Sequence, residues 1–402
     1  MRSPGPSSLW PAFGLGLAVA IGNGLSRFAY ALLLPAMRAD LGWTYAQAGW
    51  LNTANAVGYV LGAISGYWLL RRFSTPGLFI CGLIVCVAAL CATGWHASLA
   101  WLSTLRLLSG VGAAWSYACG GALVQLRYQH DLGRRGAATG LYFTGAGVGI
   151  VASGLLVNPM LAGSGAQAWP MAWLALGAAG VLMAIYPVVD AWRLRGAQDG
   201  QAATAQQRSR LQWSLHPLGT CLAAYFCFGI GYIAYMTFIF ALVQHRGLSW
   251  QFGTWVWVLL GLAAAAAPLV WRRALGAWPA QYTFSLSCMA TLAGALIPLS
   301  GFDAAMPVSG ALFGASVFIV PASVGVLLRQ CLPGEQIARA MALFTTAFAV
   351  GQAIGPLLAG AFADRYGLDA VLWCGAVLLV AAALLAVAGP RPARAASQGE
   401  VT

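Results

Sequence analysis

Twelve membrane-spanning helices in two pseudo-symmetric six-helix bundles, all α, is the architecture this sequence predicts. Three observations carry it: a composition almost without charge, charge-free runs long enough to cross a bilayer, and a faint repeat of the first half in the second. Of 402 residues, 60% are hydrophobic and 7% charged, whereas a soluble domain carries about 25% charge. The chain is expected to be an integral membrane protein throughout, which excludes nucleic acid as a partner despite a net charge of +12.

A helical crossing takes about 20 residues. Cutting the apolar runs at turn residues and at charges places helices at 12–37, 46–70, 75–94, 98–127, 134–161 and 167–190. A second set follows at 216–245, 249–271, 278–300, 304–331, 335–363 and 367–389. Arg71-Arg72 closes the second run, Gly94-Trp95-His96-Ala97-Ser98 parts the third from the fourth, and Asn158-Pro159 with Gly163-Ser164-Gly165 parts the fifth from the sixth. The first run is too long for a signal peptide and has no small-residue cleavage pattern, so it is read as a helix. Nine cysteines lie in or at the ends of helices with no Cys-x-x-Cys pair, as small packing residues do.

Residues 191–215 carry four arginines, Asp199 and a Gln/Ala/Ser-rich stretch, the composition of a flexible cytoplasmic linker. It divides an N-terminal bundle, 1–190, from a C-terminal bundle, 216–390, which a tail, 391–402, follows. All 21 basic residues are arginine, and with a cytoplasmic N-terminus sixteen of them fall on inner loops and tails, among them Arg134-Arg135 and Arg272-Arg273. Three fall on outer loops (Arg38, Arg246, Arg365) and two within helices, Arg27 and Arg106. The positive-inside rule thus predicts both termini in the cytoplasm of a multi-pass bacterial inner-membrane protein.

The halves repeat at nearly one offset. Gly22-Asn23-Gly24 matches Gly229-Ile230-Gly231, and Leu41-Gly42-Trp43 matches Leu248-Ser249-Trp250. The Gly145, Gly149 and Gly154 series matches Gly351, Gly355 and Gly360. Small residues at this spacing let helix backbones approach closely. Parallel repeats of this kind suit alternating access, in which two bundles rock about a site near the bilayer midplane.

At this point the chain resembles the major facilitator superfamily over its whole length. Leu102-x3-Arg106-x-x-Ser109-Gly110-Val111-Gly112-Ala113-Ala114 is similar to that family's helix-4 arginine signature. Gly24-Leu25-Ser26-Arg27-Phe28-Ala29-Tyr30, Leu33-Leu34-Pro35 and the stretch Gln47-Ala48-Gly49-Trp50-Leu51-Asn52-Thr53-Ala54-Asn55 resemble its bacterial YbfB-type branch. The resemblance implies the major facilitator fold, with the first, fourth, seventh and tenth helices lining the cavity. The chain departs from the family pattern in two places. Gly66 to Phe73 lacks the Asp and Gly of the loop motif between the second and third helices, and a clean copy, Gly360-Ala361-Phe362-Ala363-Asp364-Arg365-Tyr366-Gly367, closes the eleventh helix instead. Ile150 stands where an antiporter motif has Pro.

Arg27 is the leading functional candidate, alone in its apolar run, where a guanidinium at mid-membrane costs about 3 kcal/mol. Asn23, Arg27 and Tyr30 share one helical stripe at i, i+4 and i+7. Asn52 and Asn55 extend to Tyr59 on the second helix; Arg106 and Tyr117 share a face of the fourth with Gly110, which opens space beside the charge; Tyr225, Tyr232 and Tyr235 line the seventh. Each has a structural alternative: Arg27 bonding backbone carbonyls or the asparagines, Arg106 serving structure or coupling, and the asparagines bonding between helices. With two intramembrane arginines and no intramembrane Asp or Glu, fixed positive charge in a low-dielectric cavity attracts anions, and arginine holds carboxylates bidentately.

Other chemistry has no foothold in the sequence. No Walker motif, dinucleotide loop or metal-spaced His/Cys set is present, so neither enzyme activity, a cofactor, a metal nor ATP is expected. The expected function is a secondary transporter working by alternating access on a small organic anion, a carboxylate. An exporter of drug-like or metabolite compounds is the alternative, and a non-transporting receptor or scaffold on the same fold a second one. A proton is the candidate coupling ion, carried by the substrate's own carboxyl or by Asp303 near the outer end of the tenth helix.

Overall fold

A computed structural model of the protein describes residues 8–198 and 218–390. The first half comprises α1 (Trp10–Leu41), α2 (Tyr45–Leu69), α3 (Thr75–Thr93), α4 (Leu99–Arg127), α5 (Gly133–Ser164) and α6 (Trp169–Gln198). The second comprises α7 (Gly219–His245), α8 (Trp250–Val270), α9 (Ala280–Leu296), α10 (Asp303–Cys331), α11 (Gly334–Tyr366) and α12 (Leu368–Val387). No strand occurs among the described residues. α6 runs on through residues 191–198 of the stretch read as linker, because Ala191 stays buried and Arg127 of α4 binds Asp190 at 2.7 Å, holding the helix end down. The rest of that stretch and the tail 391–402 lie outside the described residues.

Among the described residues, eleven helices are apolar and long enough to cross a membrane. The twelfth, α2, has the length at 25 residues but carries Gln47, Asn52, Thr53, Asn55 and Ser65. It accommodates these internally: Asn52, Thr53 and Asn55 are buried against neighbouring helices rather than turned to lipid. Its N-terminus is fixed by a capping box, Thr44 Oγ1 accepting from Gln47 N and Gln47 Oε1 from Thr44 N. Gly42, in the left-handed region at φ 65°, makes the turn out of α1 that a side chain would strain.

The packing pattern is the same in both halves. In the first, α1 packs on α5, α2 and α3 on α4, and α3 on α6; in the second, α7 packs on α11, α8 and α9 on α10, and α9 on α12. Adding six to each helix number converts one set into the other. Between halves, α2 meets α11, α5 meets α8 and α1 meets α7. α1 and α7 are the most enclosed apolar spans, 89% and 83% buried against 33% to 61% elsewhere, so they form the axis of the molecule.

The repeated glycines sit at close helix crossings. A Cβ on Gly24 would run into the Gly149 Cα, where α1 meets α5, and one on Gly351 would lie 2.7 Å from the Phe226 oxygen, where α11 meets α7. The seams between halves use the same device, with Gly147 of α5 against Gly261 of α8 and Gly49 of α2 against Pro356 of α11. Gly110 also serves contact: a Cβ there would collide with the Asn55 oxygen. The space expected beside Arg106 is therefore filled by the α2 backbone.

Candidate functional site

α1 is not a regular α-helix. Residues Ala20–Phe28 form a π-helical segment, a form that occurs mostly as short bulges and often at functional sites. The register slips at Ala29: its N–H reaches back to the Gly24 oxygen at 3.0 Å, whereas Leu32 N–H bonds the Ala29 oxygen at 3.0 Å. The carbonyls of Ser26 and Arg27, at that slip, accept from the Arg106 guanidinium of α4. Arg106 Nε also donates to the Leu51 oxygen at 3.3 Å, and Nη2 lies 3.4 Å from Asn52 Oδ1. Its guanidinium sits 5.0 Å from the Tyr30 ring centroid and 5.7 Å from that of Trp173. Arg106 is thus fully engaged with α1 and α2, and its charge faces oxygens and π-faces.

The residues beside it are engaged in the same way. Asn55 Nδ2 donates to the Arg106 oxygen and to Ser109 Oγ at 3.1 and 3.0 Å, tying α2 to α4. Tyr30 donates its hydroxyl to the Ala48 oxygen at 2.6 Å. Asn52 Nδ2 crosses to the other half, donating to Thr237 Oγ1 of α7 at 2.8 Å. Tyr235 turns to α10, with its hydroxyl 2.7 Å from Ser309 Oγ and its ring 4.0 Å from that of Phe313.

Arg27 has a different environment. Its side chain is buried, with a relative exposure of 6%. Nη2 donates to Gln352 Oε1 of α11 at 2.8 Å, and the Tyr59 ring lies 5.5 Å below the guanidinium. Nε is buried with no hydrogen-bond partner among the described residues. No carboxylate pairs with Arg27 there either. Asp190 pairs with Arg127, Asp131 with Arg134, and Asp303 and Asp369 with Arg246, while Asp40 accepts from Trp169 and Asp364 from backbone at the start of α2.

Gln352 turns its Nε2 to the Tyr232 hydroxyl. Tyr232 belongs to an aromatic ladder of nearly parallel rings, 5.1 Å from Phe228 and 5.7 Å from Phe348, which in turn lies 4.5 Å from Tyr225. Tyr117 stands 6.3 Å from Tyr59 on the opposite wall. Of the ten residues singled out from sequence, then, Arg27, Tyr232, Tyr225 and Tyr117 come into one neighbourhood. Asn23 lies one turn away as the one incompletely buried position of α1 between Ala18 and Leu34. Arg106, Asn52, Asn55 and Tyr30 form a brace behind it, and Tyr235 packs elsewhere.

The neighbourhood lies beside a contact between the two halves. From Tyr45 to Thr53, α2 touches α11: Tyr45 N and Ala46 N donate to the Asp364 carboxylate at 2.7 and 2.9 Å, and Thr53 Oγ1 donates to the Ala353 oxygen at 2.6 Å. On its other face α2 packs on α4, from Trp50 and Leu51 through Gly58 and Gly62. Asn23, Tyr59, Tyr117 and Phe348 keep partial exposure although all lie within long helices.

A family model described as "Uncharacterised MFS-type transporter YbfB" matches residues 17–387. The chain belongs to this family. It is a multi-pass membrane transporter of the major facilitator type, not an enzyme. No curated protein matches this MFS-type chain in sequence. Solved structures do match: the nucleoside transporter NupG has a TM-score of 0.69 at 12% identity, covering 94% of this chain and 98% of its own. A bacterial homologue of the human lysosomal transporter Spinster, inward-facing and occupied, has a TM-score of 0.72 at 15% identity, covering 96% and 97%. Its unoccupied inward-facing form gives 0.67 at 17% identity, with the same coverage. At these identities the likeness bears on the fold of the MFS-type chain and on nothing finer.

Gln352 and Phe348 of this transporter escape a reading of the sequence alone, and both come from α11, outside the helices that the resemblance assigns to the cavity. The available signal was one amide between Gly351 and Ala353 in a stretch otherwise apolar.

Proposed function

We propose that this transporter carries a small organic anion, a carboxylate, by alternating access across the bacterial inner membrane, with both termini in the cytoplasm and Arg27 as the anion contact. The observation that carries the reading is the incompletely answered charge of Arg27: a buried guanidinium facing a neutral amide, with Nε unpartnered and no carboxylate beside it among the described residues. An ion removed from water without a counter-charge costs several kcal/mol, and a carboxylate binding through two parallel N–H···O bonds recovers that loss. The aromatic ladder of Tyr225, Phe228, Tyr232 and Phe348 offers a flat apolar wall for the body of such a molecule.

With the N-terminus cytoplasmic, the α2–α11 contact at Asp364 lies on the external side. Proton coupling then rests on the substrate's own carboxyl, since Asp303 is held by Arg246 at 2.8 Å, away from the Arg27 group. The linker beyond Gln198, the two six-helix bundles and the tail belong to this proposal. The ladder equally suits an aromatic body without negative charge, which is the feature favouring an exporter of drug-like compounds.

A thermal-shift screen of the purified protein against organic anions and cations, with Arg27→Gln in parallel, separates the two. A ligand at 100 times its dissociation constant adds about 2.7 kcal/mol. Stabilisation by anions that disappears in the variant supports the anion reading. Stabilisation by cations or neutral compounds that survives in Arg27→Gln overturns it in favour of the exporter, and uptake into liposomes then gives the direction.

A further inference from the structure

We infer that Gln352 is a built-in stand-in for the substrate's anionic group: its amide oxygen occupies the Nη2 edge of Arg27 until a carboxylate displaces it. This role rests on the anion reading of Arg27 and adds a residue, and a coupling between binding and the contact of the two halves, that the reading does not contain.

Four features point to a temporary occupant. Arginine has donors only, so the amide must present oxygen to it, and the Tyr232 hydroxyl takes Nε2 on the other side. The amide is thereby oriented with its acceptor toward the guanidinium, as one oxygen of a carboxylate would be. Second, the mimicry is partial: one acceptor engages one edge, and Nε stays buried without a partner. A carboxylate has two oxygens and matches the planar fork bidentately. Third, the occupant is neutral. Hydrogen bonds between two charged groups are roughly twice as strong as neutral ones, so an incoming anion outcompetes an amide, whereas a glutamate at the same position would close the site permanently. Fourth, Gln352 belongs to α11 and Arg27 to α1, so the bond spans the two halves.

Displacement therefore does two things at once. It completes the Arg27 hydrogen-bonding set with a charged partner, and it releases one of the bonds that join the halves in mid-membrane, leaving Asn52 with Thr237, Thr53 with the Ala353 oxygen and Trp257 with Ser153 Oγ. Tyr232 loses its amide partner in the same step and becomes available to the second oxygen of the anion or to its body. Binding and loosening are in this way one event.

The test measures binding of benzoate, with benzamide as the neutral control, to the purified full chain by titration calorimetry, in wild type, Gln352→Ala, Gln352→Glu and Arg27→Gln. Removing the competitor in Gln352→Ala is expected to tighten benzoate about tenfold, which is about 1.4 kcal/mol. Gln352→Glu, nearly isosteric, is expected to weaken benzoate at least about 100-fold and, without ligand, to raise the melting temperature through a permanent pair with Arg27. Benzamide is expected to bind none of them better than wild type. Benzoate binding that is lost in Arg27→Gln yet unchanged or weaker in Gln352→Ala overturns the stand-in role while leaving the anion reading intact. Undiminished benzoate binding in Gln352→Glu, or a ligand-free Gln352→Glu protein that melts below wild type, also overturns it. Benzoate binding by neither wild type nor Gln352→Ala overturns both.

Discussion

Asp364 is the residue whose loss most directly reports on the two halves as moving parts. Its carboxylate, at the end of α11, takes both Tyr45 N–H at 2.7 Å and Ala46 N–H at 2.9 Å at the first turn of α2. These are two charge-assisted hydrogen bonds to the positive end of a helix 25 residues long. A hydrogen bond to a charged group contributes about 1.5–3 kcal/mol. Because this carboxylate is exposed, the pair together is discounted to about 2 kcal/mol, near the upper value for a charge at a helix terminus. The contact exists only while α2 and α11 touch at this end, so its loss acts on the equilibrium between conformations more than on the folding of either half. A change of about 2 kcal/mol shifts that equilibrium about thirtyfold at 25 °C. Spin labels on the loops beside Tyr45 and Asp364 read the separation of the two helices by pulsed electron resonance. Asp364→Ala is expected to enlarge the population with this end apart, and Asp364→Asn, which keeps one acceptor oxygen, to fall between. A distance distribution in Asp364→Ala identical to wild type refutes the assignment of this cap as a latch.

Two further substitutions test the brace and the floor of the first half. Arg106→Gln removes the guanidinium bonds to the Ser26, Arg27 and Leu51 carbonyls, and a hydrogen bond to a charged group contributes about 1.5–3 kcal/mol; the variant is expected to lose monodispersity on size-exclusion chromatography in detergent. Arg106→Lys is expected to rescue little of this, since one ammonium cannot span the same set of oxygens. Arg127→Ala leaves the buried Asp190 carboxylate unpaired, which for a fully buried pair costs about 3–5 kcal/mol and here, with Arg127 partly exposed, about 2 kcal/mol. Thermal melts should show the double variant Arg127→Ala/Asp190→Ala more stable than Arg127→Ala alone.

The fold was readable in the sequence because lipid leaves few solutions. A run of apolar residues must be a helix there, and Gly22-Asn23-Gly24 recurring as Gly229-Ile230-Gly231 exposed the duplication. The ends were less legible: Ala191 to Gln198 look polar, yet they continue α6 because Asp190 and Ala191 are anchored from below. In the site, charge was the strong signal, and Arg27 and Arg106 stood out equally. What separates them is invisible to side-chain patterning. Arg106 is answered by carbonyls that a slip in helical register turns toward it, and register leaves no trace in hydropathy. Gln352 was silent for the opposite reason, a neutral amide among small residues with no charge to draw notice. The three-residue stripe on α1 also divides, since a π segment turns each residue by less than the roughly 100° of an α-helix and so sends Tyr30 to Ala48 and Arg27 to Gln352.

The glycine seams bear on speed. Where Gly147 meets Gly261 and Gly49 meets Pro356, the halves touch backbone to backbone, with Trp257 set against Gly154 and bonded to Ser153 as a large side chain in the α5–α8 seam. Surfaces of that kind roll on one another with few side chains to unlatch along the way. Friction at the seams is then low, and the barrier to turnover concentrates in the few discrete bonds that bridge them. A carrier built this way can be tuned in rate by single polar substitutions, while a methyl group added at the seam acts as a brake.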